Sequence, residues 1–427
     1  MPTIARLTGS EILDSRGRPT VRAVCELEGG VVAAASVPSG ASKGEHEAVE
    51  LRDGDPSRYR GLGCRRAAAN ISGELNEILA GCTIDSQAEL DALLIGIDGT
   101  PNKSRLGANA ILAVSLAFAR AHAVELGTPL YRHFAGLAGI EPRAFPRLTV
   151  NLFSGGKHAG KQVAIQDVLL VPSSMTTIDD SLAATWEVYQ CAAEIIAERY
   201  GMRLLTADEG GLAPPAESAE SMIALAVEAI RRARFEPGRD FSVALDVASS
   251  HFYQGGLYDL DGRRLTADEM VAELRRWVVT YPIVSIEDGL AEDDWSHWPR
   301  LASELDGRAR VVGDDLLCTN PDRIRRAIDA KACDTLLLKV NQIGTLTEAA
   351  EALLMARSAG WMVTISVRSG ETEDDWAADL ALGWAGDQFK NGSVTQSERL
   401  AKYNRLLALE RNTSLPLVRW PSPQTTL

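Results

Sequence analysis

The sequence predicts an α/β protein, with a C-terminal α/β barrel that carries the chemistry and an N-terminal α+β unit in front of it. Beyond residue 146, short apolar runs alternate with amphipathic helical patterns, and several of those runs close on a charged residue. Before that point the order differs, with strand-like segments first and helical ones afterwards. At 427 residues the chain exceeds one small domain, so two units are expected, 1–138 and 139–427.

In the first unit, PTVRAVCELE and GVVAAASVP read as strands. RRAAANISGELNEILAG and NKSRLGANAILAVSLAFARAHAVELG have apolar residues at helical spacing. Gly and Pro over 136–146 suggest a linker. In the second unit VALD ends at Asp246, PIVSIED contains Glu287, ARVVGDD contains Asp314, and DTLLLK ends at Lys339. Successive sites lie 41, 27 and 25 residues apart, each enough for one strand–helix unit. WMVTISVRSG continues the series. Strands apolar throughout, each followed by a helix, predict a parallel sheet covered on both faces. Repetition predicts closure into a barrel, whose reactive groups gather at the C-terminal strand ends.

Composition narrows the function. Lys and Arg number 44 against 58 Asp and Glu, a formal charge of −14. That excess argues against nucleic-acid or anionic-membrane partners. No apolar run reaches the ~18 residues of a membrane span, and the N-terminal segment has no apolar core of a secretory signal. Six scattered cysteines form no CxxC pair and read as buried free thiols. A cytoplasmic enzyme acting on a small anionic substrate is therefore expected, and an acidic protein of that kind must build a local positive site.

Asp246, Glu287 and Asp314 supply it indirectly. One carboxylate at a strand end can simply cap the next helix. Three on successive strands converge and repel one another unless a cation joins them, and Mg²⁺ suits oxygen ligands while leaving positions open. Lys339 closes a very apolar strand. Burial and nearby cations are expected to lower its pKa into the range of a usable base. Together these residues predict abstraction of a proton beside a carboxylate.

Ten motifs then carry a family resemblance along the whole chain: DSRGRPTV, SVPSGASKGEHEA, NLFSGGKHAG, TADEGGLAP, ALDVASSHFY, SIEDGLAEDDW, VGDDLLCTN, LLLKVNQIGTLTE, VRSGETEDDW and SERLAKYNRLLALE. The chain resembles the enolase family. The resemblance implies that Asp246, Glu287 and Asp314 bind one Mg²⁺, and that Ser42 helps bind a second that arrives with substrate. It implies Lys339 as base, Glu209 as general acid for the leaving hydroxyl, and Lys390 on the substrate carboxylate. Arg368 and Ser369 are expected on the phosphate, where a planar guanidinium suits bidentate contact. His158 is expected beside substrate and Gln166 near the metal. A homodimer or higher homo-oligomer of relatives is implied as well.

Several positions depart from the family pattern. Val367 stands where the family has histidine, Asp167 where it has glutamate, and Lys43 where the mobile loop has a small residue. Asn391 replaces threonine, His251 replaces an acidic residue, and Arg22 and the tail RNTSLPLVRWPSPQTTL alter segments that serve the dimer contact in relatives. The groups for metal binding and proton removal are kept, whereas the changes surround the leaving group and phosphate. Lys43 is expected to meet the extra charge of a substrate with altered or added acidic groups, and Asp167 is expected beside that substrate. Ordinary dehydration of 2-phosphoglycerate and a non-catalytic binding role remain the competing readings.

Overall fold

The structure is a computed structural model, which describes residues 1–41, 44–201 and 205–421. The chain begins with an antiparallel sheet of three strands, β1 (Ile4–Leu13), β2 (Pro19–Leu27) and β3 (Val32–Ser36), paired in sequence order. Alternation along β2 buries Val21, Ala23, Cys25 and Leu27 on one face, as the period of two requires. The apolar helix Ala108–Glu125 packs on β2 and β3 and is itself largely buried. No single helix among the described residues is long and apolar enough to cross a membrane. The helical pattern over 65–81 becomes Arg65–Asn70 and Asn76–Leu79, joined through a π-helical stretch, Ile71–Leu75. All six cysteines are free.

Eight strands close the barrel. They are β4 (Arg147–Ser154), β5 (Asp167–Pro172) and β6 (Phe241–Asp246), then, beyond a small antiparallel sheet of β7 (Tyr253–Gln254), β8 (Leu257–Leu260) and β9 (Arg263–Leu265), five more. These are β10 (Ile283–Glu287), β11 (Arg310–Gly313), β12 (Thr335–Leu338), β13 (Met362–Ser366) and β14 (Gln388–Lys390), and β14 pairs back to β4.

The barrel is not wholly parallel, which corrects the expectation of a parallel sheet. β5 runs antiparallel to both β4 and β6. The reason is local: residues 155–166 between β4 and β5 contain only a short 3₁₀ turn, Gly156–Ala159, and a parallel return needs a longer crossover. The reversal has a consequence for the site. Asp167, the first residue of β5, pairs with Asp246, the last residue of β6.

The N-terminal unit covers the mouth of the barrel. Asp91 accepts hydrogen bonds from the Thr347 amide (2.9 Å) and hydroxyl (2.6 Å). Lys103 pairs with Glu348 at 2.8 Å, and Arg120 with Asp374 at 2.6 Å. Ser39 and Gly370 exchange two backbone hydrogen bonds. At the opposite end the C-terminal segment packs against its own barrel: the Phe145 amide donates to Pro416, the Val418 amide donates to Phe145, and Arg147 donates to the Val418 carbonyl. Trp420 completes a small apolar cluster with Leu169, Val171, Ala244 and Val284. The described part of the unusual tail therefore has a structural role within the chain.

Candidate active site

Barrel register brings the charged strand ends side by side. Glu287 pairs with Asp246 across β10 and β6, and Ser366 with Lys390 across β13 and β14. Asp314 and Lys339 follow β11 and β12 directly. A small pocket lies at this end, lined by Ala41, His158, Gln166, Glu209, Asp246 and Lys339, and also by Ser366, Val367, Arg368, Ser369 and Lys390. Nine residues singled out from sequence thus meet in one cavity, with Asp167, Glu287 and Asp314 in contact with its lining.

Two lysines neutralise the carboxylates. Lys390 Nζ lies 2.7 Å from Asp246 Oδ2 and 2.7 Å from each oxygen of Glu287. Lys339 Nζ lies 2.5 Å from Asp314 Oδ2. Burial pushes Glu287 well above the carboxylate range, with Asp246 adding repulsion. Burial alone would raise Asp246 too, but the Lys390 ammonium outweighs it and holds Asp246 low. Lys339 corrects an expectation. Burial, the largest single influence, acts to lower it, as anticipated, yet the Asp314 and Glu287 carboxylates together raise it.

A supporting set fixes these groups. Gln342 donates to Asp314 Oδ1 (2.8 Å) and accepts from Thr319 Oγ1 (2.7 Å), which in turn accepts from the Lys339 amide (3.0 Å). Asp288 accepts the amides of Asp314 (3.0 Å) and Asp315 (2.8 Å). Ala248, Asp288, Cys318 and Thr319 all have left-handed backbone, with φ from +45° to +52°. Such strain persists only where surrounding contacts enforce it, and it clusters at functional sites.

The tightest carboxylate trio is a different one. Asp288, Asp314 and Asp315 offer oxygens within 4.8 Å of one another. Both Asp288 oxygens, however, already accept backbone amides, so that residue is a clamp for the turn. Asp246, Glu287 and Asp314 could hold a divalent cation in place of the lysine ammoniums they contact: all are buried, all present oxygen, and Gln166 Oε1 beside Asp246 is buried without a hydrogen-bond partner. Hard oxygen donors in this number suit Mg²⁺.

A second cluster of titratable and hydrogen-bonding side chains flanks the pocket. Asp167 Oδ1 accepts from Ser154 Oγ (2.7 Å) and Asn151 Nδ2 (3.0 Å), and the same amide reaches Glu209 Oε2 at 3.3 Å. His158 Nδ1 lies 3.6 Å from Asp167 Oδ2. Burial would depress His158, but Asp167, with Glu209 and Asp246, raises it to about 9. Burial likewise works against ionisation of Glu209, yet Arg399, His158 and Lys390 together hold it below its usual value. Glu209 is thus a carboxylate in this arrangement and needs a proton before it can act as an acid.

The third wall carries the anion-binding candidates. Arg368 binds Glu47 through two hydrogen bonds, 2.8 and 3.1 Å. Ser369 Oγ accepts from Arg16 Nη1 (3.1 Å) and from the Ala41 amide (3.0 Å). Gly370 admits this packing, because a Cβ there would fall 2.2 Å from both Arg16 and Asp14. Ser42 and Lys43 lie outside the described residues.

With the geometry in place, comparison with known families is decisive. Residues 143–415 match the family described as the enolase C-terminal TIM barrel domain, and residues 4–134 match the enolase N-terminal domain. The chain belongs to the enolase family. It is an enolase-superfamily lyase with the α/β barrel of that family.

Within this enolase-family site the departures have definite surroundings. Val367 is buried in the pocket wall and offers no polar side-chain atom. Asn391 is fully buried and donates to the Arg399 carbonyl (2.9 Å), so it braces the helix Ser397–Arg411. His251 sits outside the pocket, in a 3₁₀ turn after β6. Arg22 is exposed on β2. Sequence reasoning missed Asn151, Ser154, Thr319, Gln342, Arg16 and Arg399. Each lies in or beside a quoted motif, but neutral or distant residues give no charge signal in an isolated strand. Arg399, fully buried, donates to the carbonyls of Arg368 (2.8 Å) and Ser369 (2.7 Å) and so fixes the turn that carries them.

Proposed function

We propose that this enolase-family lyase removes the α-proton of a 2-phosphoglycerate-like acid to form an enolpyruvate product, with Mg²⁺ as cofactor and a substrate whose acidic groups differ from those of 2-phosphoglycerate. The observation that carries the reading is the pairing of Lys339 and Lys390 in one small pocket, each against carboxylates at the barrel strand ends.

Asp246, Glu287 and Asp314 would hold the Mg²⁺, and Ser42 is proposed to contribute to a second site. Bound there, the cation supplies a fixed positive charge against the negative charge that develops on the substrate carboxylate. Were their charge taken up in this way, the three carboxylates would no longer hold Lys339 protonated, and burial would leave its amine a base. Lys339 then takes the α-proton while the C–H electron pair moves toward the carboxylate, which Lys390 orients. Arg368 and Ser369 bind the phosphate or phosphonate once Arg368 exchanges Glu47 for it. Glu209, beside Asn151, would deliver a proton to the group that leaves after taking one from the His158 imidazolium.

The family resemblance makes ordinary dehydration of 2-phosphoglycerate the alternative. Val367 and the short Asp167 favour the specialised reading: both lie where proton delivery and the leaving group are handled, while the metal and base residues are kept. A carboxyphosphonoenolpyruvate synthase is the candidate whose substrate logic fits. The test is a screen of phosphorylated and phosphonylated three-carbon acids for Mg²⁺-dependent α-proton exchange, alongside enolpyruvate absorbance with 2-phosphoglycerate. Dehydration at an ordinary enolase rate would sink the specialised reading. Exchange without dehydration supports it.

A further inference from the structure

Strand β4 breaks its own alternation where it meets β5. Asn151 pairs with Leu169 and Phe153 with Val168, so Leu152 is the extra residue of a β-bulge. In a regular strand, side chains three positions apart point to opposite faces. The bulge resets that order and re-aims the side chains beside it. Asn151 Nδ2 (3.0 Å) and Ser154 Oγ (2.7 Å) consequently reach the same atom, Asp167 Oδ1.

The turn that carries Glu209 is anchored on the same irregularity. The Leu212 backbone N–H donates to the Leu152 carbonyl (2.8 Å), and the Ser154 N–H donates to the Leu212 carbonyl (2.8 Å). Gly211 allows this approach, because a Cβ there would fall 2.8 Å from Ser154 Oγ. From the β14 side, the Ser393 N–H donates to the Glu209 carbonyl (2.9 Å), and the Asn151 N–H donates to the Gly392 carbonyl (3.1 Å). Asn151 then closes the link through its side chain, with Nδ2 3.3 Å from Glu209 Oε2. Among the described residues no other group hydrogen-bonds the Glu209 carboxylate. Asn151 is 1% exposed, and its Oδ1 is buried without a partner. That orientation is dictated by the neighbours. Two carboxylates face the amide, and only its NH₂ end, with two protons, can serve both.

We propose that Asn151 is a positioning residue for the leaving-group step: its bulge-directed amide aims the Glu209 carboxyl group and takes no part in α-proton removal. This rests on the reading of Glu209 as general acid and names what aims it. A donor held on Oε2 favours Oε1 as the oxygen that carries the proton, and Glu209 lines the pocket. The Lys339 side has its own support, because Asp314, Gln342 and Thr319 bond one another and Lys339 without Asn151. The two halves of the reaction are therefore separable by mutation.

The test uses Asn151→Leu, close in volume and without donors, and Asn151→Ser, which keeps one donor. The probes are 2-phosphoglycerate and the other phosphorylated and phosphonylated three-carbon acids of the screen, with Mg²⁺ in D₂O. Proton NMR reads C2 exchange, and absorbance reads enolpyruvate in the same sample. Wild type is expected to give enolpyruvate from at least one acid. With that acid, the ratio of exchange to product should rise at least ~10-fold in Asn151→Leu, the scale of a misaimed general acid. Asn151→Ser should shift it in the same direction by less, and decides the test if the leucine variant does not fold. Exchange itself should stay within about threefold of wild type, since only the later step loses stabilisation. A merely structural role would lower exchange and product together. That parallel fall, or an unchanged ratio, overturns the proposal. Failure of the underlying reading looks different: no enolpyruvate from any acid in wild type, or product formation unchanged in Glu209→Gln, overturns the general acid and its positioning alike.

Discussion

Replacing Lys390 with Met removes one ammonium and leaves most of the side-chain volume. In the folded protein that ammonium makes three contacts of 2.7 Å, to Asp246 and to both oxygens of Glu287. The carboxylates are 3% and 5% exposed and lie on adjacent, in-register strands, so water cannot replace the lost partner. Removing one member of a buried ion pair typically destabilises by about 3–5 kcal/mol. For a barrel of this size that corresponds to a fall of at least about 5 °C in thermal midpoint, measured by calorimetry in EDTA at pH 7.5. The deficit should depend on pH. Glu287 is raised far above its unfolded value by burial and by Asp246, and losing Lys390 raises it further. A raised carboxyl binds its proton in the folded state and loses stability as pH rises through the folded pKa. The deficit therefore shrinks on acidification and grows toward alkaline pH. Mg²⁺ acts on the same carboxylates. A ligand bound only by the folded state adds about 2.7 kcal/mol at a hundredfold excess over its Kd, and without Lys390 it no longer competes with an ammonium. The variant's midpoint should rise more with Mg²⁺ than that of wild type. A loss below about 1 kcal/mol in EDTA, set against the range for buried pairs, or equal Mg²⁺ responses, would refute the reasoning.

Three further outcomes follow from the same structure. His158 is raised to about 9 against ~6.5 in an unfolded chain, so its protonated form adds stability that is complete below pH 6.5 and lost by pH 9. The amount is on the order of 3 kcal/mol, and chemical denaturation across that window should flatten in His158→Gln. Restoring a donor and reach with Val367→His plus Asp167→Glu should raise dehydration of 2-phosphoglycerate at least ~10-fold, given the 10²–10⁴ typical of general acid–base groups; unchanged enolpyruvate absorbance counts against the account of those departures. Trp420→Ala should destabilise by about 3 kcal/mol through the cavity left among Leu169, Val171, Ala244 and Val284, while Mg²⁺ affinity by calorimetry stays unchanged.

The barrel was legible because its apolar strands close on charged residues at regular intervals, and the site was legible where charge marks it. Asp246, Glu287, Asp314 and Lys339 stand out because a charged residue ending an apolar strand demands a reason. The antiparallel β5 was hidden because an apolar strand buried on both faces reads alike in either direction. Only the shortness of the link over 155–166 could have signalled the reversal, and that link is rich enough in Gly and polar residues to pass for a loop. Asn151, Thr319 and Gln342 were hidden for another reason: neutral polar residues gain meaning only from the partner they reach, and those partners are distant in sequence. The sign of the Lys339 shift was misread because burial and ion pairing oppose each other, and only geometry decides between them. The Asp314 carboxylate at 2.5 Å, together with Glu287, outweighs burial.

The central claim is that Lys339, released by a divalent cation on Asp246, Glu287 and Asp314, removes a proton beside a carboxylate. Its most direct measurement is proton NMR of C2 hydrogen exchange into D₂O, with phosphorylated and phosphonylated three-carbon acids, in wild type and Lys339→Ala, with Mg²⁺ or EDTA. The account predicts exchange with at least one of these acids in wild type with Mg²⁺, none in EDTA, and a loss of at least about 10²-fold in Lys339→Ala. Exchange that persists in Lys339→Ala, or that proceeds equally in EDTA, would contradict it.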